Sequence, residues 1–136
     1  MALIHQIDHP LVSGIRVGRV NKKGHYHLTA SCIIYQLGNT IIDTGPSREQ
    51  AYIDQHFKGQ LIERVLLTHH HEDHSGNGQL FENQYNAKIY SHPNNHQQLK
   101  KGIKLSPARK MTFGNVDAFN PEPLPSSVGL DNNYRL

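Results

Sequence analysis

The segment THHHEDHSGN, which begins at Thr68, carries four histidines and two carboxylates between His69 and His74. Imidazole nitrogens and carboxylate oxygens are the groups with which proteins hold zinc, iron and manganese. Imidazoles combined with a carboxylate favour zinc, with iron or manganese as alternatives. The segment is therefore a candidate metal site.

The spacing of these side chains predicts how they divide between metals. In extended chain, residues two apart point to the same side, so His69 and His71 can share one cation while His70 points away. Asp73 is a favoured helix N-cap, and a helix that starts there turns His74 back toward the pocket. The spacing predicts two ligand pairs for two adjacent metals: His69 with His71, and Asp73 with His74.

Two alternatives compete with this interpretation. His70 and His74 are four apart, as in the zinc-protease pattern HExxH, but that pattern needs glutamate directly after the first histidine and Glu72 stands one place late. The other alternative is a polar loop that binds nothing. So many potential ligands directly after an apolar strand are hard to explain as solvated surface.

Strands and helices alternate around the segment, which indicates an α/β fold. Gly38-Asn39 is a tight turn between two β-branched runs and predicts a hairpin. The segment itself follows the apolar run 65–67, and sites in α/β folds usually lie at the carboxyl ends of strands. The predicted strands are 15–20, 31–37, 40–43, 65–67 and 88–90.

Three helices are predicted, at about 47–57, 74–85 and 93–101. Ser47 is the expected N-cap of the first helix, which presents Tyr52, Ile53 and Phe57 on one face and ends before Gly59. Gly76 lets the start of the second helix pack closely against the site. Beyond residue 104 the pattern changes: 119–125 is predicted as extended loop, and 130–136 as a turn that leads into a new strand.

Length and charge limit the class of protein. The 136 residues are enough for one domain, which we place at 1–136. Fourteen basic and eleven acidic residues give a net charge of +3, and the basic residues are scattered along the chain, so a nucleic-acid-binding patch is not favoured. Cys32 is the single cysteine, and no stretch reaches the roughly 18 apolar residues that cross a bilayer. We expect a protein of the reducing cytoplasm, without a membrane segment.

At these residues the sequence resembles a known family. THHHEDHSGN is similar to the HxHxDH signature of the metallo-β-lactamase superfamily, and Asp43-Thr44-Gly45 is similar to the acidic motif of that family. The resemblance covers roughly 12–102 in order and spacing. It implies an αββα sandwich, of which this chain would be the amino-terminal half.

The resemblance also implies roles for individual residues. His69 and His71 would hold the first metal, and Asp73 and His74 the second. Asp43 would lie beneath the site and orient a ligand histidine through its ring N–H. The alternative for Asp43 is a simple turn residue. Forms of the motif with three consecutive histidines occur in several branches of the family, so the presence of His70 does not identify the substrate.

Further ligands that the family places in its second half have no counterpart here. After His74 the remaining histidines are His92 and His96, beside the third predicted helix, where capping and exposure explain them better than metal binding. The candidate bridging carboxylates Asp117 and Asp131 lack the flanking pattern of the family. We therefore expect a chain cut short relative to the family.

Two functions of different class follow. The first is a metal-dependent hydrolase of small molecules, in which activated water attacks an ester, thioester, lactam or phosphodiester and Asp73 helps to hold or deprotonate that water. The isolated chain is expected to bind metal weakly and to be inactive. The second is a non-catalytic association module with a weak metal site.

A half sandwich would expose an apolar sheet face. We assign to that face a set of strand residues: Ile33, Tyr35, Ile41, Val65 and Leu67. An apolar face larger than a few hundred Å² is a liability in a monomer, so a homodimer that covers it is expected.

Overall fold

Four antiparallel strands occupy the first third of the chain, where β-branched residues are frequent. The structure is a computed structural model and describes residues 2–124. The predicted hairpin is present: Leu37 pairs with Thr40, and Gly38 has a φ of 57°, which costs glycine little because it has no Cβ. The four strands are β1 (Ala2–Asp8), β2 (Ser13–Val20), β3 (Tyr26–Leu37) and β4 (Thr40–Ile42).

Helices and short strands alternate along the rest of the chain. Single turns of 3-10 helix precede the first and fourth helices. Every helix among residues 2–124 is too short or too polar to span a lipid bilayer. The elements are α1 (Gln50–Phe57), β5 (Arg64–Leu66), α2 (Glu72–Ser75), α3 (Gly78–Gln84), β6 (Lys88–Ser91), α4 (His96–Lys101), α5 (Pro107–Phe113) and β7 (Glu122–Pro123).

The seven strands of the described residues form one sheet, in the order in which they occur in the chain. Neighbours are antiparallel from β1 to β4 and parallel from β4 to β7. Parallel strands bring their carboxyl ends to the same edge of a sheet. The segments that follow β4, β5 and β6 therefore leave the sheet side by side, and the first two carry the candidate site residues.

One face of the sheet is the core of the protein. Ile41, Val65 and Ile89 are neighbours in register across three strands, and each is at most 1% exposed. Helix residues pack on this face and join the same cluster: Ile53, Phe57, Leu80, Phe81 and Leu99. The helices thus cover this face and fix the strand ends beneath the site.

The opposite face is open and apolar. Tyr35, Ile42, Leu66 and Tyr90 form one row across four strands, and Tyr35 is 41% exposed. A cleft of about 490 Å³ lies on this face, lined by Ile7, His9, Val12, Tyr35, Leu37 and Ile42. We call this row and cleft the open face.

The predicted membership of the open face is partly wrong. Tyr35 lies on it, and so does Ile33, two positions earlier in the same strand. Ile41, Val65 and Leu67 instead belong to the core under the helices. Tyr35 pairs with Ile42, and side chains alternate along a strand, so Ile41 and its partner Val65 point to the opposite face from Tyr35.

Three side chains differ from their predicted roles. Ser47 does not cap a helix; its hydroxyl donates to the backbone oxygen of Asn115 at 2.6 Å. Asp73 is not an N-cap either, because α2 already begins at Glu72, with His71 at the N-cap position. Tyr52, expected on the apolar face of α1, is 46% exposed.

The sequence patterns did not predict β1, α5 or β7. The last of these lies in the proline-rich segment predicted as loop and pairs with β6 at the sheet edge, where a missing backbone N–H is tolerated. Phe119, just before it, is 2% exposed and belongs to the core. The predicted turn and strand at 130–136 lie outside the described residues.

Candidate metal site

The chain after β5 is held to the chain after β4 by one buried carboxylate. Asp43 is 4% exposed and accepts hydrogen bonds from the backbone N–H of Thr68 at 2.8 Å and from its hydroxyl at 2.9 and 3.0 Å. Asp43 has a φ of 63°, a left-handed conformation that aspartate tolerates better than most residues. These contacts fix where the histidine segment starts.

Three predicted ligands converge just beyond Thr68. His69, His71 and Asp73 each offer a ligand atom, and these atoms lie within 4.8 Å of one another. Ligand atoms on one tetrahedral zinc are about 3.4 Å apart, since each bond is about 2.1 Å, and the ions of two-metal sites are about 3.5 to 4 Å apart, so this spacing suits one shared ion or two adjacent ions. Two imidazoles with a carboxylate suit zinc, and also iron or manganese.

His74 lies next to this group, between two carboxylates. Its Nδ1 is 2.7 Å from Asp43 Oδ2, and its Nε2 is 3.4 Å from Asp73 Oδ2. The hydrogen bond to Asp43, with the one to Asp73, raises the pKa of His74 to about 9. In the absence of a metal, His74 therefore carries a proton at neutral pH that a cation at Nε2 would replace.

The neighbouring groups are kept in the states that metal ligands need. Burial, together with the charges of His74 and His71, lowers the pKa of His69, which favours its neutral ring. Burial alone would raise the pKa of Asp73, but hydrogen bonding and charge from His74 outweigh it and lower that pKa. A neutral imidazole and an ionised carboxylate are the forms that bind cations.

His70 makes a contact away from the group, with its Nδ1 3.1 Å from Asn95 Oδ1. The later histidines also have other contacts. His92 accepts from the backbone N–H of Asn94 at 3.3 Å, a capping contact, and His96 Nε2 is 3.2 Å from the backbone oxygen of Ser91. The structure therefore brings together His69, His71, Asp73 and His74, and directs these three histidines elsewhere.

A buried amide that sequence reasoning missed ties the two site segments together. Asn77 is 0% exposed, and its side-chain nitrogen lies within hydrogen-bond distance of three backbone oxygens, those of Thr44, Gly45 and Pro46, at 2.9 to 3.0 Å. In return, Thr44 donates from its backbone N–H and hydroxyl to the backbone oxygen of His74, at 2.7 and 2.9 Å. The position of Asn77 at the end of the segment THHHEDHSGN was the available signal.

Gly76 allows this close approach, as the sequence indicated. A Cβ there would lie 2.5 Å from the backbone nitrogen of Ser47 and 2.7 Å from the backbone oxygen of Gly45. The predicted helix 74–85 is consequently two helices, α2 and α3, separated at Gly76-Asn77. Any larger residue at 76 would push the two segments apart.

A cleft of about 400 Å³ adjoins the site. It is lined by Arg16, Ser31, Cys32, Ile33, Tyr35, Asp43 and His74. The Arg16 guanidinium donates to the Ser31 hydroxyl at 3.0 Å and stacks 4.4 Å from the centroid of the Tyr26 ring. The volume is in the range of small-molecule sites.

Fold and residues define one class of protein. The sequence model of the metallo-beta-lactamase superfamily matches residues 29–132, and the chain belongs to that superfamily. No curated protein sequence matches the chain.

Solved structures show the same fold at low identity. The metallo-beta-lactamase GOB-18 of Elizabethkingia meningoseptica is 22% identical, with a TM-score of 0.51 over 67% of this chain and 37% of its own. BJP-1, a subclass B3 metallo-beta-lactamase of Bradyrhizobium japonicum, is 12% identical, with a TM-score of 0.54 over 83% and 41%. A flavoprotein of Thermotoga maritima is 18% identical, with a TM-score of 0.57 over 74% and 30%. This chain spans less than half the length of each.

Proposed function

We propose that this chain carries the metal-ligand segment of a metal-dependent hydrolase that acts on small molecules. The bond cleaved is an ester, thioester, lactam or phosphodiester. One observation carries the proposal: the ligand atoms of His69, His71 and Asp73 converge within 4.8 Å beside parallel strand ends. Because the chain spans only part of its structural relatives, the activity and substrate of the whole protein are part of the proposal.

The metal is proposed to be zinc, with iron or manganese as alternatives. When bound, such a metal acts as a Lewis acid that lowers the pKa of water to about 7 and polarises a carbonyl or phosphoryl oxygen. His69 and His71 are the proposed ligands of one ion, and Asp73 and His74 of a second. Since each ion has two protein ligands, we expect binding to be weak.

The residues of the chain have distinct proposed tasks. Asp43 holds the N–H at Nδ1 of His74, so that Nε2 is left to face the site. Asp73 is the proposed catalytic residue. Its lowered pKa keeps the carboxylate ionised, so it accepts a hydrogen bond from the attacking water and orients it. The adjoining cleft offers room for a small substrate.

The open face favours a second candidate function, a non-catalytic association module. Tyr35 and Leu37 are 41% and 45% exposed there, and we propose that a second copy of the chain covers them. Light scattering at micromolar concentration tests this: a monodisperse monomer that binds no hydrophobic dye would exclude the dimer. Because the single cysteine, Cys32, is buried as a free thiol, we further propose a cytoplasmic protein.

The test of the hydrolase proposal measures zinc uptake and hydrolysis on the same samples of the wild type and the His71→Ala variant. We expect the wild type to take up zinc and the variant to lose most of it. Rates on ester, thioester, lactam and phosphodiester probes should be near background, because two ligands per ion orient water poorly. Hydrolysis that persists with a chelator or in the variant would contradict a metal-dependent reaction. Fast turnover by the wild type would contradict the expectation that two protein ligands per ion orient water too poorly for catalysis.

A further inference from the structure

A carboxylate inside the histidine segment takes no part in the ligand group. Glu72 stands between His71 and Asp73, but its side chain is 4% exposed and turns away to α5. There, Oε1 of Glu72 accepts hydrogen bonds from Arg109 Nε at 2.8 Å and from Arg109 Nη2. A buried carboxylate without such a partner would be costly, so this contact constrains where Glu72 can lie.

The helix that supplies Arg109 is attached by polar contacts. No residue of α5 is buried, so apolar packing contributes little to its position. Two more contacts bind it and the residues after it to the sheet side of the site. Arg19 Nη2 donates to the backbone oxygen of Met111 at 2.9 Å, and the Ser47 hydroxyl donates to that of Asn115 at 2.6 Å. Thus α5 is fastened to both segments that build the metal site.

The segment that α5 holds needs outside support. The helix α2 has four residues and no side-chain cap, and so short a helix is not stable by itself. Its second and third residues are the proposed ligands Asp73 and His74. Ser75 steadies the C-terminal end by donating to the backbone oxygens of His70 and His71, at 2.8 and 3.0 Å. At the N-terminal end, the contact between Glu72 and Arg109 does so.

We propose that Arg109 is a positioning residue of the metal site, and that α5 fixes the position of α2 through Arg109. Arg109 contacts no proposed ligand side chain; it fixes Glu72, and Glu72 fixes the turn that carries Asp73 and His74. The inference rests on the proposed metal function. It adds to that function a determinant 37 residues from Glu72 in sequence, on a helix that carries no proposed ligand.

The sign of the expected effect separates this role from simple electrostatics. Removing a positive charge near a cation site should tighten metal binding by Coulomb's law. If Arg109 positions the ligands, its loss should weaken binding instead. Groups that hydrogen-bond a metal ligand directly typically contribute 10- to 100-fold in metal affinity, and Arg109 acts one residue further back, so the lower end of that range applies. We therefore expect Arg109→Met to weaken zinc binding by about tenfold or more.

The experiment measures the zinc dissociation constant by competition with a chromogenic chelator, at fixed pH and ionic strength, for four proteins. These are the wild type, Arg109→Met, Arg109→Lys and the control Lys110→Met, which removes the neighbouring exposed charge of the same helix. We expect Lys110→Met to stay within about twofold of the wild type. Arg109→Lys, which keeps the charge but loses the two-pronged donor geometry, should fall between the wild type and Arg109→Met.

A second measurement guards against a variant that merely folds poorly. The backbone N–H groups of His74 and Ser75 donate to the backbone oxygen of His71. In metal-free Arg109→Met, amide hydrogen exchange should be faster at these two residues and unchanged at Val65 in the core strand. Faster exchange at Val65 as well would mean general destabilisation and would count against a positioning role. The zinc affinity of Arg109→Lys, which keeps the charge, shows separately whether binding depends on the two-pronged donor geometry of arginine.

Each result has one meaning. A wild type that binds no zinc overturns the proposed function and this inference together. A wild type that binds zinc, with Arg109→Met equal to it or tighter, overturns this inference alone. An equal loss in Lys110→Met would also overturn it, because that residue has no contact with Glu72.

Discussion

Replacing Asp43 with asparagine removes one charge and keeps the shape of the side chain. Asp43 accepts from His74 Nδ1 at 2.7 Å and from the N–H and hydroxyl of Thr68 at 2.8 to 3.0 Å. Asparagine can still accept from Thr68, but its amide nitrogen then faces His74. That nitrogen donates, so His74 must switch to the tautomer that carries its proton on Nε2, the atom that should bind the metal.

The magnitude follows from the lost partner. Losing a hydrogen-bonding partner behind a metal ligand typically costs 10- to 100-fold in affinity, which is about 1.4 to 2.7 kcal/mol. Without metal, losing a charge-assisted hydrogen bond to a buried carboxylate costs about 1.5 to 3 kcal/mol of the free energy of unfolding. We therefore expect Asp43→Asn to lower both the zinc affinity and the free energy of unfolding of the metal-free protein.

The assay combines zinc titration with urea unfolding of the metal-free protein. The matched control is Asp54→Asn, because Asp54 also accepts a hydrogen bond, from the Tyr85 hydroxyl at 2.9 Å, but lies away from the site. The control should change stability without changing zinc affinity. Zinc affinity of Asp43→Asn within twofold of the wild type would refute the claim that Asp43 sets the tautomer of His74.

Three other predictions concern the ligands, the close approach at Gly76 and the open face. In zinc titration, His71→Ala should lose most zinc binding, whereas His70→Ala should lose little, because the His70 ring contacts Asn95. Equal losses in the two variants would argue against the assigned ligand set. Gly76→Ala should destabilise by about 1 to 3 kcal/mol in urea unfolding, since the new methyl group must displace backbone, and an unchanged midpoint would count against the close packing. Leu37→Lys should shift any dimer toward monomer in light scattering, and a dimer that tolerates this charge must use another surface.

The metal segment and its framework were predictable because the signals are local. Gly38-Asn39 between β-branched runs specifies a hairpin, and the apolar run ending at Leu67 specifies a buried strand end. Ligand-type side chains directly after such a strand could be placed without knowing the tertiary structure. The orientation of His70 is different: it lies outside the strands, its ring centroid is 5.1 Å from that of His71, and its Nδ1 contacts Asn95, so strand alternation does not account for it.

What escaped prediction depends on contacts between distant parts of the chain. The helix α5 has no buried residue, so it lacks the apolar periodicity that identifies a helix. Its contact with Glu72 joins residues 37 apart, and the contact of Ser47 with Asn115 joins residues 68 apart. Which face of the sheet receives Ile41 depends on helix packing, which a strand pattern does not reveal.

Zinc binding by the chain and by a His69→Ala/His71→Ala variant tests the central claim most directly. Both proteins are dialysed against the same zinc buffer, and bound zinc and protein are quantified by elemental and amino-acid analysis. The metal site proposed here predicts weak, partial occupancy in the wild type and loss of most of it in the variant. Zinc uptake that is absent from the wild type, or unchanged by the double substitution, would contradict it.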